Sequence, residues 1–222
     1  MPKAGRLATT LVLLVLVIGG VVFAIFNLSS EPTTVDYTTA SLGQPVNVTM
    51  QTVGAYGHGL HSTWVSYMTL SQQGQWEHTT LWQIPAHTRV NVTIYQYDSG
   101  SPLRNQQIGQ VEGTIGDDAI LNGKSFSVIN SNAGDGVGHT FSIPTLGINV
   151  PLFALNGNLN LCGAAPCTFA SPHNVIRFSF ISPGPGTYPW QCFVPCGLGF
   201  LYGNGGPMQT VGYMDGFMKV VA

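Results

Sequence analysis

The sequence predicts an all-β sandwich that is carried on one N-terminal transmembrane helix. Two observations predict the sandwich: short stretches of alternating apolar and polar residues recur along the chain, and 28 glycines and 14 prolines supply the turns between them. A third observation predicts the helix, because residues 7–26 carry no charge and are almost all apolar. Such a run of about 20 residues spans roughly 30 Å, the thickness of the hydrocarbon core of a bilayer.

The apolar run is expected to be a retained anchor, residues 1–30, rather than a cleaved signal peptide. A signal peptide normally has a shorter apolar core, and the following residues, NLSSEPTT, lack a small-x-small cleavage site. Lys3 and Arg6 precede the run, which predicts a cytoplasmic N-terminus. We therefore expect a single-pass protein of the cell membrane whose C-terminal domain is extracytoplasmic. A cleaved signal and a helix of a soluble core are the alternatives.

Composition excludes several classes of protein. Charged residues make up only 7% of the 222 residues, with 7 Lys and Arg against 9 Asp and Glu, and no basic cluster is present. Binding of nucleic acid through a basic patch is therefore excluded, as is a charged coiled coil. The sequence also lacks a P-loop, an HExxH zinc motif and a nucleophile elbow.

The strands are predicted from alternation and β-branched content after a polar stalk at 31–44. The clearest is 89–97, where Val90, Val92 and Ile94 alternate with polar residues. Residues 106–124 are ambiguous between a pair of strands and one short helix. The other strands are expected at 46–53, 63–70, 78–84, 125–130, 140–143, 175–181 and 216–221.

Residues that can carry chemistry are concentrated in the last 85 residues of the chain. His139 lies in GHTFSI, Cys192 and Cys196 lie four apart in one loop, and Met214 precedes the last strand. Thiolates and a thioether are soft ligands that suit copper, and imidazole also binds it. From the residues alone, the cysteine pair has three possible uses: a metal site, a redox-active dithiol or a disulfide.

These motifs, in this order, resemble the cupredoxin domain of cytochrome c oxidase subunit II, which holds the dinuclear copper A centre. The segment that begins at His139, HTFSIPTLGI, looks like the run of that family that contains a histidine ligand. The stretch CFVPCGLG resembles its copper loop, and Met214 with the following strand resembles its last ligand and strand. The resemblance covers 82–222 and implies a cupredoxin-like Greek-key sandwich. Residues 31–81, a stalk and a β segment, have no match.

The resemblance implies a set of copper ligands in this chain. They are the side chains of His139, Cys192, Cys196 and Met214, with the backbone carbonyl of Val194, and they would hold one or two copper ions. Trp190, two residues before the first cysteine of the loop, is a candidate for the electron path. Its alternative role is that of a packed core aromatic.

The chain departs from the family at one ligand, so the resemblance implies a divergent member. Phe200 stands where the family has its second histidine, and about ten extra residues follow before Met214. Four outcomes stay open. They are a dinuclear centre with a substitute ligand such as Met208 or another histidine, a mononuclear centre, a copper carrier, and a metal-free site in which Cys192 and Cys196 form a disulfide.

Cys162 and Cys167 have no counterpart in the family. They enclose the tight loop CGAAPC, and in an exported domain we expect them to form a local disulfide. A second metal site is the alternative. His58 and His61 lie three apart in a glycine-rich turn, and we expect surface or core roles for them rather than metal binding.

The resemblance implies copper-dependent electron transfer in a respiratory chain. The protein would be a non-catalytic, subunit II-like component of an oxidoreductase, a haem–copper terminal oxidase. It would take electrons from an external donor, such as a small copper protein or a cytochrome, and pass them to the membrane subunit of the oxidase. Membrane lipid would be a further partner, and nucleic acid would not. A membrane-anchored copper carrier or assembly factor, using the two cysteines and His139, is the first alternative. A metal-free structural subunit is the second.

Overall fold

The computed structural model describes residues 3–28, 32–39, 44–59, 61–197 and 205–222. The chain divides into two units, Met1–Glu31 and Pro32–Ala222. The first contains helix α1, Lys3–Leu28. Over the residues that the structure describes, no helix combines the length and the apolar character that a membrane span requires. The predicted transmembrane helix is therefore not supported by the structure and stays a prediction.

The second unit is a β-sandwich of two mixed sheets, which confirms the predicted all-β, two-sheet architecture. In the first sheet, β5 runs parallel to both β1 and β13, and the other pairs are antiparallel. The strands of this sheet, in spatial order, are β1 (Thr34–Asp36), β5 (Leu81–Pro85), β13 (Asp215–Val221), β12 (Gly186–Gln191), β9 (Val137–Ile143) and β10 (Ile148–Phe153).

The second sheet contains seven strands. Its central strand pairs parallel with one neighbour and antiparallel with the other. The strands, in spatial order, are β4 (Trp76–Glu77), β3 (Ser66–Leu70), β2 (Val46–Val53), β6 (Arg89–Gln96), β11 (Asn174–Ile181), β7 (Ala119–Leu121) and β8 (Lys124–Phe126).

Several predicted boundaries are wrong in detail. Strands β10 and β12 were not expected, because each contains a proline, Pro151 or Pro189, which indicates a connector in the sequence. The polar stalk contains β1. The ambiguous region 106–124 holds a short 3-10 turn, all of β7 and the first residue of β8. The expected strand at 125–130 ends at Phe126.

Residues 31–81, which the family resemblance left unmatched, belong to the same sandwich. They supply β1 to the first sheet and β2, β3 and β4 to the second. The proposed boundary between 81 and 82 falls inside β5, which pairs with both β1 and β13. The resemblance therefore covers only part of the structural unit Pro32–Ala222.

Large aromatic side chains fill the core beneath the first sheet. Trp82, Phe141 and Trp190 are fully buried, and the ring of Phe141 lies 5.5 Å from that of Trp82 and 5.0 Å from that of Trp190. Phe141 belongs to β9, which also contains His139. Trp190 belongs to β12, which leads into the loop that carries Cys192 and Cys196. Because burying an apolar side chain of this size contributes about 1.5–3 kcal/mol, this packing fixes the two strands together.

Thr80 ties the loop before β5 to the last strand. Its carbonyl oxygen accepts hydrogen bonds from the Trp190 indole at 3.0 Å and from the Phe217 N–H at 3.2 Å. Its hydroxyl donates to the Asp215 carbonyl at 2.6 Å and accepts from the Gly212 N–H at 2.7 Å. These bonds hold the residues on both sides of Met214.

We predict that Gly216→Ala destabilises the fold. A Cβ atom at Gly216 would lie 2.6 Å from the Thr80 hydroxyl and closer still to its carbonyl oxygen, so the backbone would have to shift. Overpacking of this kind costs about 1–3 kcal/mol. Urea unfolding of the full chain measures the loss. Gly163→Ala is the matched control, because a Cβ there meets nothing within 4 Å. Equal unfolding midpoints for the two variants would contradict the prediction.

Candidate metal centre

Three neighbouring strands of the first sheet deliver the predicted ligands to one place. His139 lies in β9, Cys192 directly follows β12, and Met214 directly precedes β13. Strand β12 pairs with β9 through Gln191 and Ser142 and with β13 along its whole length. The ligands are far apart in sequence, and they meet because these strand ends are adjacent.

His139, Cys192 and Cys196 form a buried triangle of donor atoms. His139 Nδ1 lies 3.1 Å from Cys196 Sγ and 3.8 Å from Cys192 Sγ, and the two sulfurs are 3.6 Å apart. The side chains are 2%, 0% and 6% exposed in sequence order. The two cysteines are not bonded to each other, since a disulfide requires about 2.05 Å.

Val194 and Met214 adjoin this triangle. The Val194 carbonyl oxygen lies 3.7 Å from Cys192 Sγ. The backbone N–H of Cys192 donates to the Met214 carbonyl at 3.0 Å, and the Met214 N–H donates to the Pro207 carbonyl at 2.9 Å. Met214 is fully buried. All five residues predicted as ligands therefore lie in one buried region.

Asp98 is a site residue that the sequence did not indicate. Its Oδ2 lies 2.9 Å from His139 Nε2, and its Oδ1 accepts the Ser99 N–H at 2.7 Å. The sequence predicts that Asp98 is a turn residue after β6, and no local pattern links it to His139. The contact fixes the ring so that Nδ1 faces the sulfurs, which is how carboxylates commonly orient histidine ligands.

Thr140 is a second residue that the sequence did not indicate. Its N–H donates to Cys192 Sγ at 3.4 Å, and its hydroxyl accepts the Phe193 N–H at 2.8 Å. Its own carbonyl accepts the Tyr67 hydroxyl at 2.9 Å. These bonds connect β9 to the cysteine loop and supply a donor to the sulfur.

The charges at the metal-free centre are coupled. Burial lowers the pKa of His139, but the hydrogen bonds to Asp98 and Cys192 outweigh burial and raise its pKa to about 9. Burial raises the pKa of Cys192, but its hydrogen bonds with Cys196 and His139 prevail and hold the pKa well below its usual range. The hydrogen bond to Cys192, together with burial, raises the pKa of Cys196. The arrangement favours an imidazolium beside one thiolate and one thiol.

Trp190 is a core residue next to the site. It is fully buried, and its ring lies 5.1 Å from that of Tyr67, whose own ring is 6.3 Å from that of His139. Trp190 presents no edge to solvent, which agrees with the packing role. Its part in an electron path stays a prediction.

The other described residues that the sequence singled out are not members of the triangle. Cys162 and Cys167 form a disulfide with an S–S distance of 2.00 Å. His58 is exposed and contacts the Ala165 carbonyl, and His61 is exposed and stacks on an indole ring. Met208 is buried in a short 3-10 turn. Phe200, the position of the missing histidine, lies outside the described residues.

The donor set fits copper. A point equidistant from the three donor atoms lies about 2.0 Å from each, near the usual metal–nitrogen distance and slightly below a metal–sulfur distance of about 2.3 Å. Two thiolates and an imidazole, with a carbonyl and a methionine adjacent, form a soft set that selects copper over hard cations. Within the described ranges, these three residues are the only group of His, Cys, Asp or Glu side chains close enough to share an ion.

The geometry defines a β-sandwich protein with a buried His–Cys–Cys centre. No family model matches the chain, and no curated protein is similar to it. Solved structures that are similar include rusticyanin from Thiobacillus ferrooxidans, at 15% identity and a TM-score of 0.31, over 85% of this chain and 82% of that one. A Met148Leu rusticyanin has 16% identity and a TM-score of 0.35, over 85% and 81%. A chain from a heme-copper terminal oxidase dimer has 14% identity and a TM-score of 0.33, over 100% of both chains.

We predict that Asp98→Asn lowers the pKa of His139 in the metal-free protein. The carboxylate, together with Cys192, opposes the desolvation of the imidazolium, so removing its charge should lower the pKa from about 9. An NMR titration of the His139 ring measures the change. Asp135→Asn, an exposed carboxylate away from the site, is the control and should leave the titration unchanged. An unchanged His139 pKa in Asp98→Asn would show that the contact has no electrostatic effect.

Proposed function

We propose that the protein is a copper-binding electron-transfer subunit, of the subunit II type, of a haem–copper terminal oxidase. The observation that carries the proposal is the buried triangle of His139, Cys192 and Cys196, whose donor atoms all lie within 4.8 Å of one another. These residues occur in the order and motifs of the copper A family. The proposal includes the assignment of the sandwich to the cupredoxin fold.

His139, Cys192 and Cys196 would hold the copper, together with the Val194 carbonyl and the Met214 thioether, in a centre of one or two ions. Bound copper would supply a one-electron couple. The protein's residues hold the donors nearly fixed: β9 and β12 are locked by aromatic packing, and Asp98 fixes the imidazole. Cys192 is fully buried, so its sulfur is shielded from water. A rigid site suits electron transfer, because little has to rearrange when the charge on the centre changes.

The proposal places the domain outside the cell membrane, anchored through residues 1–30. The uncharged run at 7–26 and the preceding Lys3 and Arg6 support this orientation. The Cys162–Cys167 disulfide supports an oxidising compartment. Electrons would pass from an external donor, a small copper protein or a cytochrome, to the haem-bearing membrane subunit, with membrane lipid as a further contact.

A copper carrier is the second candidate function. It is favoured by one observation: Cys196 and His139 line an open cavity, so part of the centre faces the exterior. A carrier must release its ion to an acceptor, whereas an electron-transfer centre must retain it through many turnovers.

We predict that copper loading of the full chain produces a thiolate-to-copper absorption band. Cys192→Ser and Cys196→Ser should each abolish or shift the band, because each removes a soft ligand. A double variant, Cys162→Ala with Cys167→Ala, is the matched control and should keep it. Electron paramagnetic resonance then distinguishes a mixed-valence pair from a single ion. A band that survives Cys192→Ser unchanged would refute the ligand assignment, and failure of the wild type with reduced thiols to retain either Cu(II) or Cu(I) would refute copper binding.

Retention of the metal separates the two functions. An electron-transfer centre should be reduced and reoxidised repeatedly while a Cu(I) chelator removes little copper, and it should co-purify with a haem subunit. Rapid loss of copper to a thiol acceptor, without such a partner, would favour the carrier.

A further inference from the structure

One cavity opens directly onto the centre. Its volume is about 590 Å³, and its wall includes Cys196, His139 and Val194 on the side of the centre. Cys192 and Met214 are fully buried and are not part of the wall. The described residues therefore leave the donor triangle approachable from the Cys196 side and closed behind Cys192. We call this space the Asp98 cavity.

The charge of the cavity wall selects the kind of species that can enter. Asp98 contributes a carboxylate with a side chain 21% exposed, and no lysine or arginine is among the described lining residues. The rest of the wall is glycine, serine, threonine and apolar side chains. Asp98 is the one acidic side chain among the described lining residues, so the exposed part of its carboxylate attracts a small cation and repels anions.

Gly54 leaves room for the carboxylate at the cavity wall. A Cβ atom at Gly54 would lie 2.7 Å from Asp98 Oδ1, so a side chain there would displace the carboxylate. Gly54 itself lines the cavity. The backbone at Gly54 thus approaches Asp98 closely while the carboxylate retains its contact with His139.

We propose that the Asp98 cavity is the port through which Cu(I) reaches the centre, passing Asp98 and binding Cys196 before Cys192. The inference rests on the proposed function, because it assumes that the centre holds copper. Uptake is a ligand exchange without electron transfer: bonds from copper to its donor break as bonds to Cys196, Cys192 and His139 form, and the Cys196 thiol and His139 Nδ1 each release a proton to solvent. The donor must therefore be a Cu(I) complex whose ligands can exchange with a thiol.

Narrowing the port tests the route. Thr63 is exposed and lines the cavity, whereas Thr187 is exposed in β12 and does not. We expect Thr63→Trp to slow Cu(I) uptake by about tenfold relative to wild type, because the indole would obstruct the entrance, while leaving the final absorption spectrum unchanged. Thr187→Trp is the matched control and should load at the wild-type rate. Equal rates for the two variants would overturn the proposal.

Changing the charge of an exposed residue of the cavity wall tests the electrostatic part of the proposal. Ser101 is an exposed residue of the cavity, and Ser127 is an exposed serine elsewhere. Ser101→Lys should slow the uptake of Cu(I) and Ser101→Asp should speed it, and both effects should diminish in high salt. Ser127→Lys should have no effect. If both substitutions at Ser101 act in the same direction, charge does not govern entry.

A metal-free measurement keeps the port and the proposed function distinguishable. In the reduced full chain, a small neutral thiol reagent such as methyl methanethiosulfonate should modify Cys192 and Cys196 more slowly in Thr63→Trp than in Thr187→Trp, as followed by mass spectrometry. If copper fails to bind but labelling slows, the proposed function and the copper port both fail, and the cavity is only a route by which small molecules reach the thiols. If copper binds and neither labelling nor loading slows, the port is wrong and the function stands.

Discussion

The pairing of β12 with both β9 and β13 is the constraint on which the candidate centre depends. It joins His139, Cys192 and Met214, which come from three separate parts of the chain, at one end of one sheet. Phe141 and Trp190 pack against each other beneath the same strands, and Thr80 bonds to both sides of Met214. Main-chain register and core packing therefore set the positions of His139, Cys192 and Met214. The loop that follows Cys192 then has only to bring Cys196 beside them.

Electrostatics at the centre follow from that geometry. Once β9 is held, His139 lies between a carboxylate at 2.9 Å and two sulfurs at 3.1 and 3.8 Å. A buried imidazole would normally stay neutral, but here acceptors flank both of its nitrogens. The metal-free centre is consequently polarised, with the positive ring between Asp98 and the Cys192 thiolate. A soft cation can take over the role of the proton on Nδ1, while Asp98 continues to hold the other nitrogen.

Much of the fold, and most of the residues that meet at the candidate centre, could be predicted from the sequence, because both leave local patterns. Alternation identified β2, β6 and β11, and short motifs that resemble those of a known family identified His139, Cys192, Cys196 and Met214. What could not be predicted depends on contacts between distant residues. Asp98 meets His139 across 41 positions, and Thr140 acts through its backbone N–H, which any residue would supply. Strands β10 and β12 were hidden because their prolines suggest turns, although the sheet tolerates them.

The Cys162–Cys167 disulfide has a consequence for how the domain must mature. One chain carries two cysteine pairs in opposite oxidation states: the first is joined, and the second has sulfurs 3.6 Å apart and unjoined. Thiol–disulfide exchange would act on both while the chain is unfolded, since a thiolate attacks any sulfur that it can reach. Which cysteines become oxidised then has to depend on the order in which disulfide formation and strand pairing occur. Cys162 and Cys167 are only five residues apart and can oxidise early. Cys192 and Cys196 are sheltered only after β9 and β12 have paired, so folding itself would be what keeps the second pair reduced.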